Sequence, residues 1–282
     1  MNYINFNGKL LAAETAVIGA DNRGLRYGDG LFETIKYKNN ELIFIDEHLS
    51  RLWKGMQVLK FELPKLFIPD NLQQQILQLI KKNKQSSAGI RLSILRGNGG
   101  LYDAVNHNPI YIIQSWPIGD ANAGLNENGL QLCIYPDAKK MTDNFCNLKH
   151  NNYLAYFMGA LFAKQQQCND AVILNNHDRI CDSTIANIFM IKNGSIFTPP
   201  LTEGCVAGIM RKFIIQQLGE HGYAVTETPL TKEDLLNADE VFLSNSIYNI
   251  RWVAAIENKT YTNITTRKIF ESLLKTNPAI FC

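Results

Sequence analysis

Between residues 31 and 38 apolar and polar side chains alternate, Leu-Phe-Glu-Thr-Ile-Lys-Tyr-Lys, which is the period of a half-buried strand. A helical period follows. Asp46 can cap a helix that carries His48, Leu49, Leu52 and Met56 on its inner face, and Leu72, Ile76, Leu77 and Ile80 predict a second over 70–84. Two short strands are expected within 3–18 around the hairpin dipeptide Asn7-Gly8, and further strands at 42–45, 90–95 and 109–115. Residues 21–30 form a polar loop punctuated by glycine. The stretch 117–129, rich in Gly, Asn and Pro, predicts a linker between an N-terminal α+β domain (1–116) and a C-terminal domain (130–282). In the second half, strands are expected at 130–135, 170–175, 185–192, 227–230, 240–244 and 252–256. Helices are expected at about 151–167, 207–219 and 265–275. Hairpins, mixed strands and interspersed helices make this an α+β chain in two halves, without the regular alternation of a doubly wound sheet.

A length of 282 residues suits two domains, and 46% hydrophobic residues provide ample core. The 28 basic and 26 acidic residues leave a formal charge of +2, too small a surplus to point to nucleic acid or an anionic membrane. There is no signal-peptide core and no apolar run of transmembrane length. Six cysteines without a CxxC pair and five histidines without HxxxH spacing predict reduced thiols and no metal site. A cytoplasmic protein is the expectation.

Three segments carry candidate chemistry. Lys149 precedes a helix, with Leu148, Tyr153 and Leu154 nearby to desolvate it, and a desolvated lysine can attack a carbonyl to form an imine. Taken alone, a solvated loop lysine is the commoner case. Asp182 is placed in a turn between two apolar runs. It can bond its own backbone there, or keep a pyridine ring protonated as an electron sink. Gly208-Ile209 at a helix start offers unpaired amides to a phosphate, with Arg51 and Ser244-Asn245-Ser246 as further donors, although a glycine there is usually only a cap. The Gly28-Asp-Gly30 and Gly97-Asn-Gly-Gly100 loops fit neither GxGxxG nor the P-loop, which argues against a nucleotide fold.

Six ordered blocks then resemble one family. They are Asp21-x-Arg23-Gly24-x3-Gly28-Asp29-Gly30-x-Phe32-Glu33; His48-Leu49-x-Arg51-Leu52; the Lys149 segment; Asp182-x4-Asn187-Ile-Phe189 with Thr198-Pro199; Gly208-Ile209-x-Arg211; and Asp239-Glu240-Val241 with the 244–246 turn. The chain is similar, nearly end to end, to the fold-type IV pyridoxal-phosphate enzymes, the class IV aminotransferase family with its D-amino-acid aminotransferase-like two-domain fold. The resemblance implies pyridoxal 5'-phosphate held as a Schiff base on Lys149, which also shuttles the proton. It implies phosphate donors from Arg51, the Gly208 and Ile209 amides, Asn245 and Ser246, and Asp182 facing the ring nitrogen. Phe32, Thr34, Arg96, Tyr153 and Ile247 would face a small amino substrate, and a homodimer is implied. The family pattern has glutamate at position 182, so the aspartate reaches about 1.5 Å less.

Within the family, Leu95-Arg-Gly-Asn-Gly-Gly100, Leu148-Lys-His-x-Asn152 and Gly208-Ile-Met-Arg211 resemble the 4-amino-4-deoxychorismate lyases, and Thr34 and Asn245 suit the same pattern. Leu101-Tyr102 departs from those lyases, which continue Arg-Gly-Tyr and so supply a basic residue for a substrate carboxylate, and Asn152-Tyr153-Leu154 is closer to the branched-chain form. The expectation is a lyase giving 4-aminobenzoate and pyruvate. The alternatives are a branched-chain or D-amino-acid transaminase and, third, a non-catalytic relative. Arg26, Arg96 and Arg251 are the candidate cations for a substrate carboxylate.

Overall fold

The computed structural model describes residues 2–100, 102, 106–119 and 124–281. The chain forms two compact units, Met1–Gly119 with Leu148–Asn152, and Asp120–Asn147 with Tyr153–Cys282. Part of the expected linker, residues 120–123, lies outside the described residues. No helix among the described residues is long and apolar enough to cross a membrane.

The first unit is built on a six-stranded sheet. Its strands are β1 (Tyr3–Phe6), β2 (Lys9–Ala12), β3 (Gly30–Lys38), β4 (Glu41–Ile43), β5 (Ala88–Arg96) and β6 (Pro109–Pro117), in the order β2-β1-β6-β5-β3-β4. All pairs are antiparallel, and β3 against β5 sets Phe32 opposite Ser93 and Thr34 opposite Arg91. Strand alternation therefore sorts the sheet into two faces. Leu31, Ile35, Ile90, Leu92, Ile94 and Ile113 pack with Leu49, Leu52 and Met56 of helix α2 (Ile45–Val58) and with Leu72, Ile76 and Ile80 of α3 (Pro69–Lys82). Phe32, Thr34, Arg91 and Ser93 share the other face.

Two local expectations change. Residues 21–30 are not all loop, because Asn22 caps a short helix, α1 (Arg23–Tyr27), by accepting from the Leu25 amide. Asp46 is not the cap of α2. Phe44, in the left-handed region, precedes the helix, and Asp46 lies in its first turn, where its charge favours the helix dipole.

The second unit holds a nine-stranded mixed sheet ordered β12-β11-β10-β13-β14-β7-β8-β9, with β15 on β14. These strands are β7 (Leu130–Ile134), β8 (Asp170–Leu174), β9 (Ile180–Ser183), β10 (Asn187–Lys192), β11 (Ser195–Thr198), β12 (Val225–Glu227), β13 (Glu240–Asn245), β14 (Asn249–Ile256) and β15 (Lys259–Thr260). Helix α4 (Leu154–Gln165) packs on β8 through Tyr156 and Ala163. Helices α5 (Ile209–Glu220), α6 (Lys232–Leu236), α7 (Ile264–Thr276) and α8 (Pro278–Phe281) complete the unit. Buried Glu240 starts α7, its carboxylate accepting at 2.7 Å from the Thr265 and Thr266 amides. Asp182 lies in strand β9, not in a turn, because 180–183 pairs with β8.

Leu148–Asn152 belongs to the first unit, so a C-terminal domain of 130–282 that carries the lysine is corrected. The Phe32 amide donates to Lys149 O at 2.8 Å, the Asn151 amide donates to Gly30 O at 2.9 Å, and Leu31 bridges His150. Gly30 is required by this approach. A Cβ there would lie 2.1 Å from Ile94 O and 2.5 Å from Asn151 Nδ2.

Candidate active site

In the first unit the extra bridge against β3 fixes the backbone of Lys149 and turns its side chain over the sheet's polar face. Lys149 Nζ lies 4.5 Å from the centre of the Phe32 ring, and the Arg91 guanidinium lies 3.7 Å from the same ring. Two cations on one aromatic residue, beside Thr34 and Ser93, make an anion-attracting surface.

On the opposite face, buried Glu33 joins two residues of α2. It accepts from Arg51 Nε at 2.8 Å and Nη2 at 2.5 Å, and lies 2.6 Å from His48 Nδ1. Burial pushes the Glu33 carboxyl up, but the charge of Arg51 and the bonds from His48 and Arg51 outweigh it and bring it down to about 2. His48 is pushed down, first by burial, with Glu33 opposing. The guanidinium of Arg51 is therefore oriented from below by a carboxylate that stays ionised.

In the second unit Asp182 is buried at the centre of a donor set. Oδ2 accepts from the Tyr156 hydroxyl at 2.7 Å and the Val206 amide at 2.9 Å, and Oδ1 accepts from Asn187 Nδ2 at 2.8 Å. Lys140 Nζ stands 3.7 Å from Oδ2. Burial raises the Asp182 carboxyl, and Lys140, Val206, Tyr156 and Asn187 oppose it. Val206 leads to Gly208, which stands in extended conformation immediately before α5. A Cβ on Gly208 would fall 2.0 Å from Asn187 Oδ1, so only glycine brings the helix start this close. Asn187 is the cross-strand partner of Ser244, whose buried Oγ has no hydrogen-bond partner. Paired residues share a sheet face. The start of α5 thus packs directly on Asn187, and amides at a helix start, from Ile209 onward, suit a phosphate.

Several expected site residues are engaged elsewhere. Arg96 is corrected as a substrate cation. It donates to Asp29 at 2.9 Å, to the carbonyls of Leu59 and Lys60 and toward His107, and it stacks on Phe61. Asp29 also pairs with Arg23, so this network closes α1 and β5. Arg251 donates to Gly124 O and lies over Tyr248. Asn245 accepts from the Ile247 and Tyr248 amides and donates to Ile185 O, so its amide builds the turn that displays Ser246. The Tyr153 hydroxyl donates to Thr184 O, and its ring stacks on Tyr156 at 4.5 Å. The sequence reading points to Ser244 within its donor cluster but not to Arg91, Tyr156 or Lys140. Arg91 alone had a readable signal, since it occupies the polar parity of an alternating strand.

The same fold recurs in known proteins. The profile of the amino-transferase class IV family matches residues 30–256. Aminodeoxychorismate lyase of Vibrio harveyi is 31% identical, covering 84% of this chain and 88% of that protein. D-alanine aminotransferase of Bacillus licheniformis is 28% identical, covering 90% and 88%. The branched-chain amino acid aminotransferase structure from Escherichia coli superposes with a TM-score of 0.87 at 27% identity, over 97% of this chain and 93% of that one. The chain belongs to the class IV aminotransferase family and is a pyridoxal-phosphate-dependent enzyme.

Proposed function

We propose that the enzyme is a 4-amino-4-deoxychorismate lyase. The observation that carries this reading is Phe32 on the polar face of β3, with Lys149 Nζ and the Arg91 guanidinium both against its ring. An aromatic surface flanked by a proton-carrying amine and a fixed cation suits a six-membered ring that bears a carboxylate and becomes planar as it aromatises. The lyase-like segments around Arg96, Lys149 and Met210 support the same choice. A transaminase is the second reading, favoured by Asn152-Tyr153-Leu154 and by the likeness to D-alanine and branched-chain aminotransferases.

The cofactor supplies a ring that takes up the electron pair released when the substrate loses a proton. The chain's own groups do the rest. Lys149 Nζ would hold the cofactor by its aldehyde, and its free amine would be the base. That amine removes the ring proton, and it or a water delivers a proton to the departing enolpyruvyl carbon. Arg51, set by Glu33, and the Ile209 amide with Ser246 would bind the phosphate, and Asp182 would face the ring nitrogen; the Gly208 amide is spent on Val206 O at 2.7 Å, so Gly208 would serve by letting the helix start come close. Arg91 orients the substrate carboxylate. Aromatisation provides driving force, so positioning and proton control are what the protein must contribute.

The deciding experiment supplies aminodeoxychorismate and measures 4-aminobenzoate and pyruvate, with leucine and D-alanine plus 2-oxoglutarate in parallel. Product from an amino donor and none from aminodeoxychorismate overturns the lyase reading. In the same assay Arg91→Met is expected to raise KM about 10–100-fold with a smaller change in kcat, the loss of one charge-assisted contact. An unchanged KM would remove Arg91 from the substrate's surroundings.

A homodimer is part of this reading. Leu154, Phe157, Met158 and Leu161 form an exposed apolar stripe along α4 at helical spacing, 39–65% exposed, and Ile185 is also exposed. Phe157→Glu is expected to convert the dimer to monomer in light scattering. A wild-type monomer would contradict the assignment.

A further inference from the structure

Lys140 is the least expected residue in the second unit. Its backbone is pinned to β8 and the turn after it, with its amide donating to Leu174 O at 2.9 Å and its carbonyl accepting from the Asn176 amide at 3.0 Å. This turns the side chain inward, where it is 8% exposed and its Nζ has no hydrogen-bond partner among the described residues. A buried ammonium without a bond is costly unless another charge compensates it. The compensating charge is Asp182, at 3.7 Å, too long for a hydrogen bond and short enough for a strong Coulomb contact in a buried site. Nζ also lies 5.2 Å from the centre of the Tyr156 ring.

Lys140 stands off because Oδ2 is already taken by the Tyr156 hydroxyl and the Val206 amide. The other groups facing Asp182 bring no competing charge. They are Tyr156 from α4, Asn187 from β10, the Val206 amide and Cys205 from the segment before α5, and Cys181 on its own strand, with Cys146 next to Lys140 and the two thiols. Burial pushes the thiols of Cys146, Cys181 and Cys205 upward, Cys205 to about 12, and raises Tyr156 well above its ordinary range, so all four are neutral. Lys140 is the one cation in the set. It is also the largest influence opposing the burial of the carboxylate.

We propose that Lys140 is a positioning residue that holds Asp182 as a carboxylate, so that the partner of the cofactor's ring nitrogen is a charge-compensated Asp182–Lys140 pair. The inference rests on the reading of Asp182 as that partner and deepens it. The aspartate is one carbon shorter than the glutamate expected at this position, and four hydrogen bonds, the longest from the Cys181 thiol at 3.9 Å, draw it back. It keeps one Oδ1 lone pair to offer. A neutralised carboxyl would leave the ring nitrogen with less positive charge.

The test titrates the visible band of the holoenzyme against pH in wild type, Lys140→Met, Lys140→Arg and Asp182→Asn. A ring nitrogen with less positive charge repels the proton at the lysine linkage less. Lys140→Met and Asp182→Asn are therefore both expected to raise the band's midpoint, by about one pH unit or more, and Lys140→Arg to restore it. A Lys140→Met midpoint equal to wild type, beside a shifted Asp182→Asn, overturns this inference and spares Asp182. An unshifted Asp182→Asn instead overturns the reading of Asp182 on which it rests. If the methionine variant does not take up cofactor, isotope-edited infrared spectra of wild-type apoprotein against Asp182→Asn decide. An ionised carboxylate band at pH 7 is expected, and a protonated carboxyl band overturns the proposal.

Discussion

Lys149→Ala and Lys149→Arg are each expected to lower turnover by roughly 10⁴-fold or more, because both remove the nucleophile and the proton carrier in one change. The arginine variant makes the prediction specific. It keeps a cation beside Phe32, so a loss confined to alanine would mean that Lys149 supplies charge and nothing else. The bridge that places Lys149 uses backbone groups, Phe32 N–H to Lys149 O and Asn151 N–H to Gly30 O, which neither substitution removes. Thermal stability should therefore change little. After borohydride treatment the wild-type protein should retain the cofactor on the peptide containing Lys149, and both variants should retain none. Label on another lysine of the wild-type protein would contradict the role assigned here.

Much of this arrangement was legible in the chain, and the reasons are local. Alternation in 31–38 and 90–95 gave the strands that carry Phe32 and Arg91, and the helical spacing of 70–84 gave α3 at Pro69–Lys82. Gly208 at a helix start was readable because the residue types at a helix terminus are set by its unpaired amides. What stayed hidden depends on partners distant in sequence. Glu33 reads as a polar strand residue, yet it is buried because His48 and Arg51, 15 and 18 residues away, supply its bonds. Arg96 looked like a cation for substrate, and only the packing of β5 against Asp29, Leu59 and Lys60 shows its donors spent. Asp182 read as a turn because Asp and Ser favour turns. Its strand exists through pairing with β8, a tertiary effect that overrides propensity.

Glu33→Gln is expected to lower the melting temperature at pH 7 by about 6–12 °C, since it strips the counter-charge from Arg51 and the acceptor from His48 in a buried setting. The pH dependence identifies the cause. The Glu33 carboxyl falls from an ordinary 4.5 to about 2 in the folded protein. Between those values the unfolded chain binds more protons than the folded one, so stability from this group is complete above about pH 4.5. It is lost as pH falls through about 2, and amounts to about 3 kcal/mol. His48, also pushed down, acts in the same direction from a higher pH. Calorimetry at pH 7, 5 and 3 should show wild type losing stability over this range and Glu33→Gln losing less, so that the two converge in acid. The functional consequence follows from the same geometry. With Glu33 uncharged, Arg51 is no longer held by two parallel bonds, and the phosphate loses an oriented partner. Affinity for pyridoxal phosphate should fall about 10-fold or more, while affinity for pyridoxal, which has no phosphate, should not. Equal losses for both ligands would mean that the Glu33–Arg51 pair supports the fold and has no part in anion binding.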